Sequence, residues 1–394
     1  MRSARELDER EPRGLRLVGP PVGESAAARV AAAIDPAGGT RWFRAPGRVN
    51  LIGEHTDYNE GLVLPFALDR SCVLAARPAE VVRVRSLDTG DDVEVPPDGT
   101  ADPAAVRPAW GRYVGGVVRE LAALGRPPVG IDAVLASDVP LGAGLSSSAA
   151  LEVAVATALS DTAGWQATPH ELAEACRRAE EVATGVPCGI MDQLTSALGS
   201  AGHALLVDCR SLEIRLVALP EDLGVLVVDS GTSRALDATG YADRRSECAL
   251  LARRLGVRAL RDATWEQVAD EPLGRHVVGE NARVLEAAGA LEAGDVERLG
   301  RLLAESHASL RDDFRISTPE LDALVAELEG AGALGARLMG GGFGGCAVAV
   351  CDATRADRIA REATVRYEER TGREAWAIRP RAVDGAGSLE PPTR

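Results

Sequence analysis

No lysine occurs anywhere in the 394 residues; all 44 basic positions are arginine. That absence excludes chemistry that needs an ε-amino group: a Walker-type phosphate-loop lysine, the strand lysine of a protein kinase, a Schiff base. Cysteine is sparse and scattered. The seven cysteines (72, 176, 188, 209, 248, 346 and 351) form no Cys-x-x-Cys pair, and an odd, dispersed set predicts reduced thiols and a cytoplasmic protein. The five histidines are equally dispersed, which argues against a structural metal site. No apolar run approaches the roughly 20 residues that span a bilayer, so no membrane partner is expected. The opening "MRSARELDEREPRG" is charged and has no apolar core, so no signal peptide is expected either. There is no basic cluster, and the net charge is −15, which argues against a nucleic-acid partner. A nucleotide held by local dipoles remains compatible with that charge.

The composition is that of an ordinary globular protein, 46% hydrophobic and 26% charged, with enough chain for two domains. Short strand-like runs alternate with helical ones, which predicts an α+β or α/β architecture. Residues 1–24 and 382–394 are rich in charge, proline and glycine and are expected to be loose tails. A seam is expected near "VALPEDLG" (217–224), between the strand-like "IRLVAL" and "VLVVDS"; it divides an N-terminal unit, 25–218, from a C-terminal unit, 219–381.

Two helices follow from pattern. In "TPHELAEACRRAEEVAT", Thr168 is the N-cap, Pro169 the first helical residue and Glu171 the third, a capping box. Leu172, Ala175, Cys176, Ala179, Val182 and Ala183 make one apolar stripe. At about 100° per residue, Glu181 points away from that stripe to solvent. Glu180 lies on its flank, able to reach a cleft. The second helix begins inside "SDVPLGAGLSSSAALEVAVATAL". The alternation of Ile131, Ala133 and Leu135 predicts a strand before it, and the apolar run Ala149–Leu159 predicts a buried helix.

Between that strand and helix lies a loop rich in glycine and serine. A helix N-terminus offers unpaired N–H groups and partial positive charge. Gly142 and Gly144 let the backbone curl close to an anion, and Ser146, Ser147 and Ser148 add hydroxyls. Three serines alone would read as an N-cap; with two glycines and a buried helix behind them, a phosphate cradle without lysine is favoured. In "LMGGGFGGCAVAVCD" the glycines precede a strand, the reverse of the dinucleotide fingerprint, so a Rossmann site is rejected. They make either a tight turn or a close approach to a ligand. "GRVNLIGEHTDYNEG" places Glu54, His55 and Asp57 on one turn after a buried segment, with Arg48 nearby. The turn is either an exposed polar bend or a grip for a ligand dense in hydroxyls. Asp192, in "VPCGIMDQL", sits in a small apolar setting that would partly desolvate it, as a structural cap or a catalytic group.

Together these segments resemble the GHMP small-molecule kinases, and within them the galactokinase branch. "GRVNLIGEHTDYNEG" is similar to that branch's substrate signature. "PLGAGLSSSAALE" resembles the family's ATP-phosphate loop and "LMGGGFGGCAVAV" its third motif. "CGIMDQ" resembles the segment holding its catalytic aspartate, and "HVVGENARVLEA" and "SHASLRDDFRISTPELDAL" resemble later stretches. The similarity covers roughly residues 28–380.

It implies an α+β, two-domain GHMP kinase fold with the active site in the cleft between the domains. It further implies ATP-dependent phosphorylation of the anomeric hydroxyl of D-galactose, with ATP and Mg²⁺ as cofactors. The implied partners are a small sugar and Mg-ATP, and a monomer is expected. Glu54, His55, Asp57, the Gly189 backbone and Tyr241 would hold the sugar. Asp192 would face the anomeric hydroxyl with Arg48 beside it. Gly142, Ala143, Gly144, Leu145, Ser146, Ser147 and Ser148 would wrap the phosphates; Ser148 and Glu180 would bind Mg²⁺. Trp110 matches a residue near the adenine pocket, or is a core tryptophan at a helix start. The run "SRALDATGY" departs from the family pattern, with Arg234 and Gly240 at the differing places. A sibling kinase for arabinose or N-acetylgalactosamine therefore stays open. A non-catalytic sugar and ATP sensor is disfavoured, because "GLSSSAA" is complete.

Overall fold

The computed structural model describes residues 25–34, 39–232 and 238–391. The N-terminal unit opens with α1 (Ala26–Ala33), β1 (Arg41–Asn50), β2 (Leu62–Val63), β3 (Pro65–Ala79), β4 (Val82–Ser86) and β5 (Asp92–Val95). It continues through α2 (Gly111–Ala123), β6 (Gly130–Ser137), α3 (Ser147–Thr162), α4 (Pro169–Thr184), α5 (Met191–Leu198), β7 (His203–Asp208) and β8 (Ile214–Ala218). Then come β9 (Leu223–Asp229), α6 (Ala238–Leu255), α7 (Trp265–Val268), α8 (Pro272–Ala293), α9 (Val296–Asp312) and α10 (Pro319–Gly330). The chain closes with β10 (Gly335–Leu338), β11 (Cys346–Asp352), α11 (Ala356–Thr371), β12 (Trp376–Ile378) and β13 (Gly387–Ser388).

One six-stranded sheet, ordered β13-β1-β3-β6-β4-β5, forms the N-terminal platform. Its β3 alternates strictly: Cys72, Leu74 and Ala76 face the main core, which includes residues of α2, α3 and α4, while Val73 and Ala75 join Ala26 and Val30 of α1 on the other face. This is the period-2 pattern of a sheet buried on both sides. The α3 helix is buried almost all round, as its uniformly apolar sequence predicts. The four-stranded sheet β10-β11-β9-β12 sorts its residues the same way. Leu226 and Val228 pack under α10 and α11, whereas Val225 and Val227 face the core shared with the N-terminal platform. β8 and β9, on either side of residues 219–222, belong to different sheets.

The Thr168–Glu171 capping box is present and starts α4 at Pro169. The expected N-terminal tail, residues 1–24, lies outside the described residues, as does the stretch 233–237 containing Arg234. The expectation of a loose C-terminal tail is corrected for residues 382–391. There β13 pairs with β1 (Phe43 opposite Ser388), Val383 N–H donates to Ala67 C=O at 3.0 Å, and Leu389 N–H donates to Trp42 C=O at 2.8 Å. Gly385 lies so close to α5 that a Cβ there would meet Ala197 C=O at 2.5 Å. Composition misled because this strand is held by backbone pairing, which leaves no hydrophobic period to see. Deleting residues 382–394 would bare the edge of β1, and thermal unfolding should register a melting temperature lower by at least ~3 °C.

Candidate active site

Strand β1 delivers Arg48 and then breaks into the turn 53–62. Gly53 is needed at the break: its φ is 105°, and a Cβ would strike Leu62 C=O and Val63 Cα at 2.8 Å. His55 and Glu60 take left-handed backbone angles (φ 61° and 56°) although neither is glycine. The turn thus presents Glu54, His55 and Asp57 toward a cleft of about 390 Å³. The same cleft is lined by Gly189, Asp192, Tyr241 and the Gly340–Gly342 turn. Gly189 is obligatory in this packing, since a Cβ would meet the Asp57 carboxylate at 1.7 Å. Tyr241, in the first turn of α6, packs on His55 (5.4 Å between ring centroids) and edge-on to Tyr58 (5.5 Å). The expected sugar-binding group is therefore assembled in one place.

At the centre of the cleft, Arg48 grips Asp192 with two nitrogens, Nε to Oδ1 at 2.7 Å and Nη2 to Oδ2 at 3.0 Å, a bidentate pair. Its third arm donates to Gly144 C=O at 2.6 Å. The Arg48 side chain is 6% exposed and that of Asp192 28%, so the cation is sunk and the carboxylate is presented. Asp192 also accepts from the Ser146 hydroxyl.

That bond explains the loop. Gly142, Gly144 and Ser146 all take positive φ (73°, 74° and 60°), which turns the chain sharply into α3. Ser146 occupies the N-cap position without capping, because its hydroxyl goes to Asp192 instead. The first-turn N–H groups of α3 are thus left uncapped by that side chain, as an anion site requires. Ser148 Oγ donates to Glu180 Oε1 at 2.8 Å, and Gln193 Nε2 donates to Glu180 Oε2 at 2.5 Å. Burial, then the charge of Asp192, pushes the Glu180 carboxyl above its usual range, while Ser148 and Gln193 oppose the shift. Glu181 instead pairs with Arg177 at 2.6 Å, both partly exposed, as helical rotation predicts. Among the described residues, no group of three or more His, Cys, Asp or Glu is placed to hold a metal ion. Ser148 and Glu180 do form a pair of hard oxygen donors, enough for an ion that takes its other ligands from phosphates and water.

None of the expected residues of the 142–148 loop lines this cleft directly, although Ser146 and Ser148 reach it through Asp192 and Glu180, and Trp110 does not line it either. Leu145 is buried in the core and serves through its backbone, its C=O accepting from Arg48 N–H at 3.1 Å. Trp110, at the start of α2, packs against the core, its buried indole N–H without a hydrogen-bond partner among the described residues. Gly142 and Ala143 line a second cavity, of about 540 Å³, that reaches Asp229 and Trp376. Sequence reasoning missed Gln193, which touches both Glu180 and the buried Glu152 (3.1 Å). It also missed Glu280 and Arg337. A charged residue inside an apolar run, as in "GARLMGG", was the available signal for Arg337.

The fold and this site define a GHMP kinase. The GHMP kinase N-terminal domain matches residues 112–200, the GHMP kinase C-terminal domain residues 287–368, and the galactokinase galactose-binding signature residues 35–78. A galactokinase of Roseiflexus sp. (strain RS-1) is 47% identical over 88% of this chain and 92% of its own. A galactokinase of Bos taurus is 45% identical over 88% and 91%. The crystal structure of Lactococcus lactis galactokinase complexed with galactose superposes with a TM-score of 0.85 at 30% identity, covering 92% of this chain and 98% of that one. Methanococcus jannaschii mevalonate kinase shares the fold alone, with a TM-score of 0.66 at 18% identity over 89% and 100%. The chain belongs to the galactokinase family.

Burial, and then the nearby charge of Asp192, raises the Asp57 carboxyl from 3.8 to about 6. The folded state therefore holds this proton more tightly than the unfolded chain and loses stability as pH rises from 3.8 to about 6. The ionised form is the better acceptor for sugar hydroxyls. kcat/KM for the sugar should accordingly rise through an inflection near pH 6, and a pH–rate profile of Asp57→Asn should lack it.

Proposed function

We propose that the chain transfers the γ-phosphoryl group of ATP to the anomeric hydroxyl of D-galactose, giving α-D-galactose 1-phosphate and ADP. The observation that carries this is the Arg48–Asp192–Ser146 contact, which joins the strand leading into the hydroxyl-gripping turn to the phosphate loop. His55, Asp57, Tyr241 and the Gly189 backbone hold the sugar, with Glu54 bracing the turn. The anomeric oxygen attacks the γ-phosphorus as the bond to the β-phosphate oxygen breaks, and its proton passes to the Asp192 carboxylate. Arg48 holds the Asp192 carboxylate aimed through its bidentate contact, and the α3 amides receive the phosphate charge. Ser148 and Glu180 would hold Mg²⁺, which supplies charge neutralisation on the phosphates when bound.

ADP release over a panel of monosaccharides, with and without Mg²⁺, tests the assignment. Galactose should be the preferred acceptor; preference for arabinose or N-acetylgalactosamine would move the chain to a sibling kinase, and no release with any sugar would make it a sensor. Asp192→Ala should cut turnover by about 10³-fold or more while ATP still binds by calorimetry. Titration of activity against Mg²⁺ should show a sharply raised requirement in Glu180→Ala and an unchanged one in Glu181→Ala.

A further inference from the structure

The turn that carries the sugar-facing groups belongs to the N-terminal unit, but much of its backbone is held from the C-terminal unit. Glu280 Oε1 accepts from Gly53 N–H at 3.0 Å, and His276 Nε2 contacts Glu54 C=O at 3.1 Å. Asn281 Oδ1 accepts from Leu62 N–H at 2.7 Å. His276 and Glu280, four apart on α8, share one helix face, and Asn281 follows directly after them. From β10, Arg337 donates to Leu51 C=O and Asn50 C=O, both at 2.6 Å. Arg261 donates to Glu60 C=O at the far corner.

Glu280 and Arg337 are both completely buried. Burial alone would push the Glu280 carboxyl up, but Arg283, His276 and Arg337 more than offset it and hold it at about 2. Glu280 is also fixed from behind by Ser306 Oγ at 2.7 Å and Arg283 Nε at 2.8 Å. Buried charges are poor stabilisers compared with apolar residues of the same volume, so core cohesion does not account for them. They do account for geometry. The left-handed backbone at His55 and Glu60 persists only where the surroundings over-determine it, and these contacts lie on both sides of each residue. Glu54 belongs to the same frame: its carboxylate accepts from Asn50 Nδ2 at 2.5 Å and from Gly340 N–H, and is 3.4 Å from Arg337.

We propose that Glu280, with His276, Asn281 and Arg337, is a positioning device that holds the turn 53–62 in its strained, sugar-ready conformation, so that the C-terminal unit sets the affinity for sugar. None of these four residues needs to touch the sugar. This rests on the galactose-kinase reading, and the unmodified chain is therefore assayed first: no ADP release with galactose sinks that reading, while release with sugar KM unaltered in the variants sinks the device alone. Glu280→Ala should raise KM for galactose on the order of tenfold and leave KM for ATP within about twofold. Glu280→Gln, which keeps an acceptor for Gly53 N–H, should recover most of that loss. Asn281→Ala, which leaves Glu280 and Arg337 in place, should raise KM for galactose by about threefold while the chain stays folded by circular dichroism, and it decides the matter if Glu280→Ala does not fold. A parallel rise in both KM values, or no rise in either, overturns the proposal.

Discussion

Arg48 ties the cleft together. A guanidinium sunk this deep needs fixed partners for its donors, and it finds them on two other pieces of chain: Asp192 at the start of α5 and Gly144 in the phosphate loop. Burial alone would lower its pKa; the carboxylates of Asp192 and Glu54 more than reverse that and hold the charge in place. Gly47 completes the junction, since a Cβ there would meet Leu145 C=O at 2.4 Å. Strand, loop and helix are thus drawn to one point by a single side chain and by the missing side chain before it.

That arrangement splits the work between the two units. The N-terminal platform fixes the 142–148 loop and the Arg48–Asp192 pair, while the C-terminal unit grips the backbone of the turn 53–62. The cleft is consequently a joint product, and an error in the packing of either unit would misplace one reactant relative to the other. Reacting atoms must meet to within a fraction of an ångström, which gives a physical reason for a core cluster continuous across both units.

What was legible in the sequence was local. The capping box of α4, the alternation of β6 and the strand–loop–helix around "GLSSSAA" each depend on residues a few positions apart, and all three stand in the structure. The separate treatment of Glu180 and Glu181 needed only the helical repeat. The long-range pairings were opaque because no local period marks them. Arg48 meets Asp192 across 144 positions, Gly53 meets Glu280 across 227, and Asn50 meets Arg337 across 287. Trp110 shows the opposite hazard, a motif match whose side chain packs into the core instead of the cleft. The C-terminal segment failed for a third reason: two residues of strand pairing leave nothing in composition to read.

The absence of lysine acquires its meaning here. Glu54, Asp57, Glu180 and Asp192 all line one cleft, and Glu152 lies just behind Glu180, linked to it through Gln193. Burial, and then the charge of Glu180, pushes the Glu152 carboxyl well above its usual range. Such a site is hostile to a triphosphate unless positive charge arrives from elsewhere. Arg48 is already committed to Asp192, so its charge is largely spent inside the protein. What remains is the N-terminus of α3, freed of its serine cap, and the oxygen pair Ser148–Glu180, which is suited to a hard cation and not to a bare phosphate. In the proposed reading, the excess of acid would make the phosphoryl donor depend on a metal ion: without one the carboxylates repel it, and with one the same carboxylates would become the anchor.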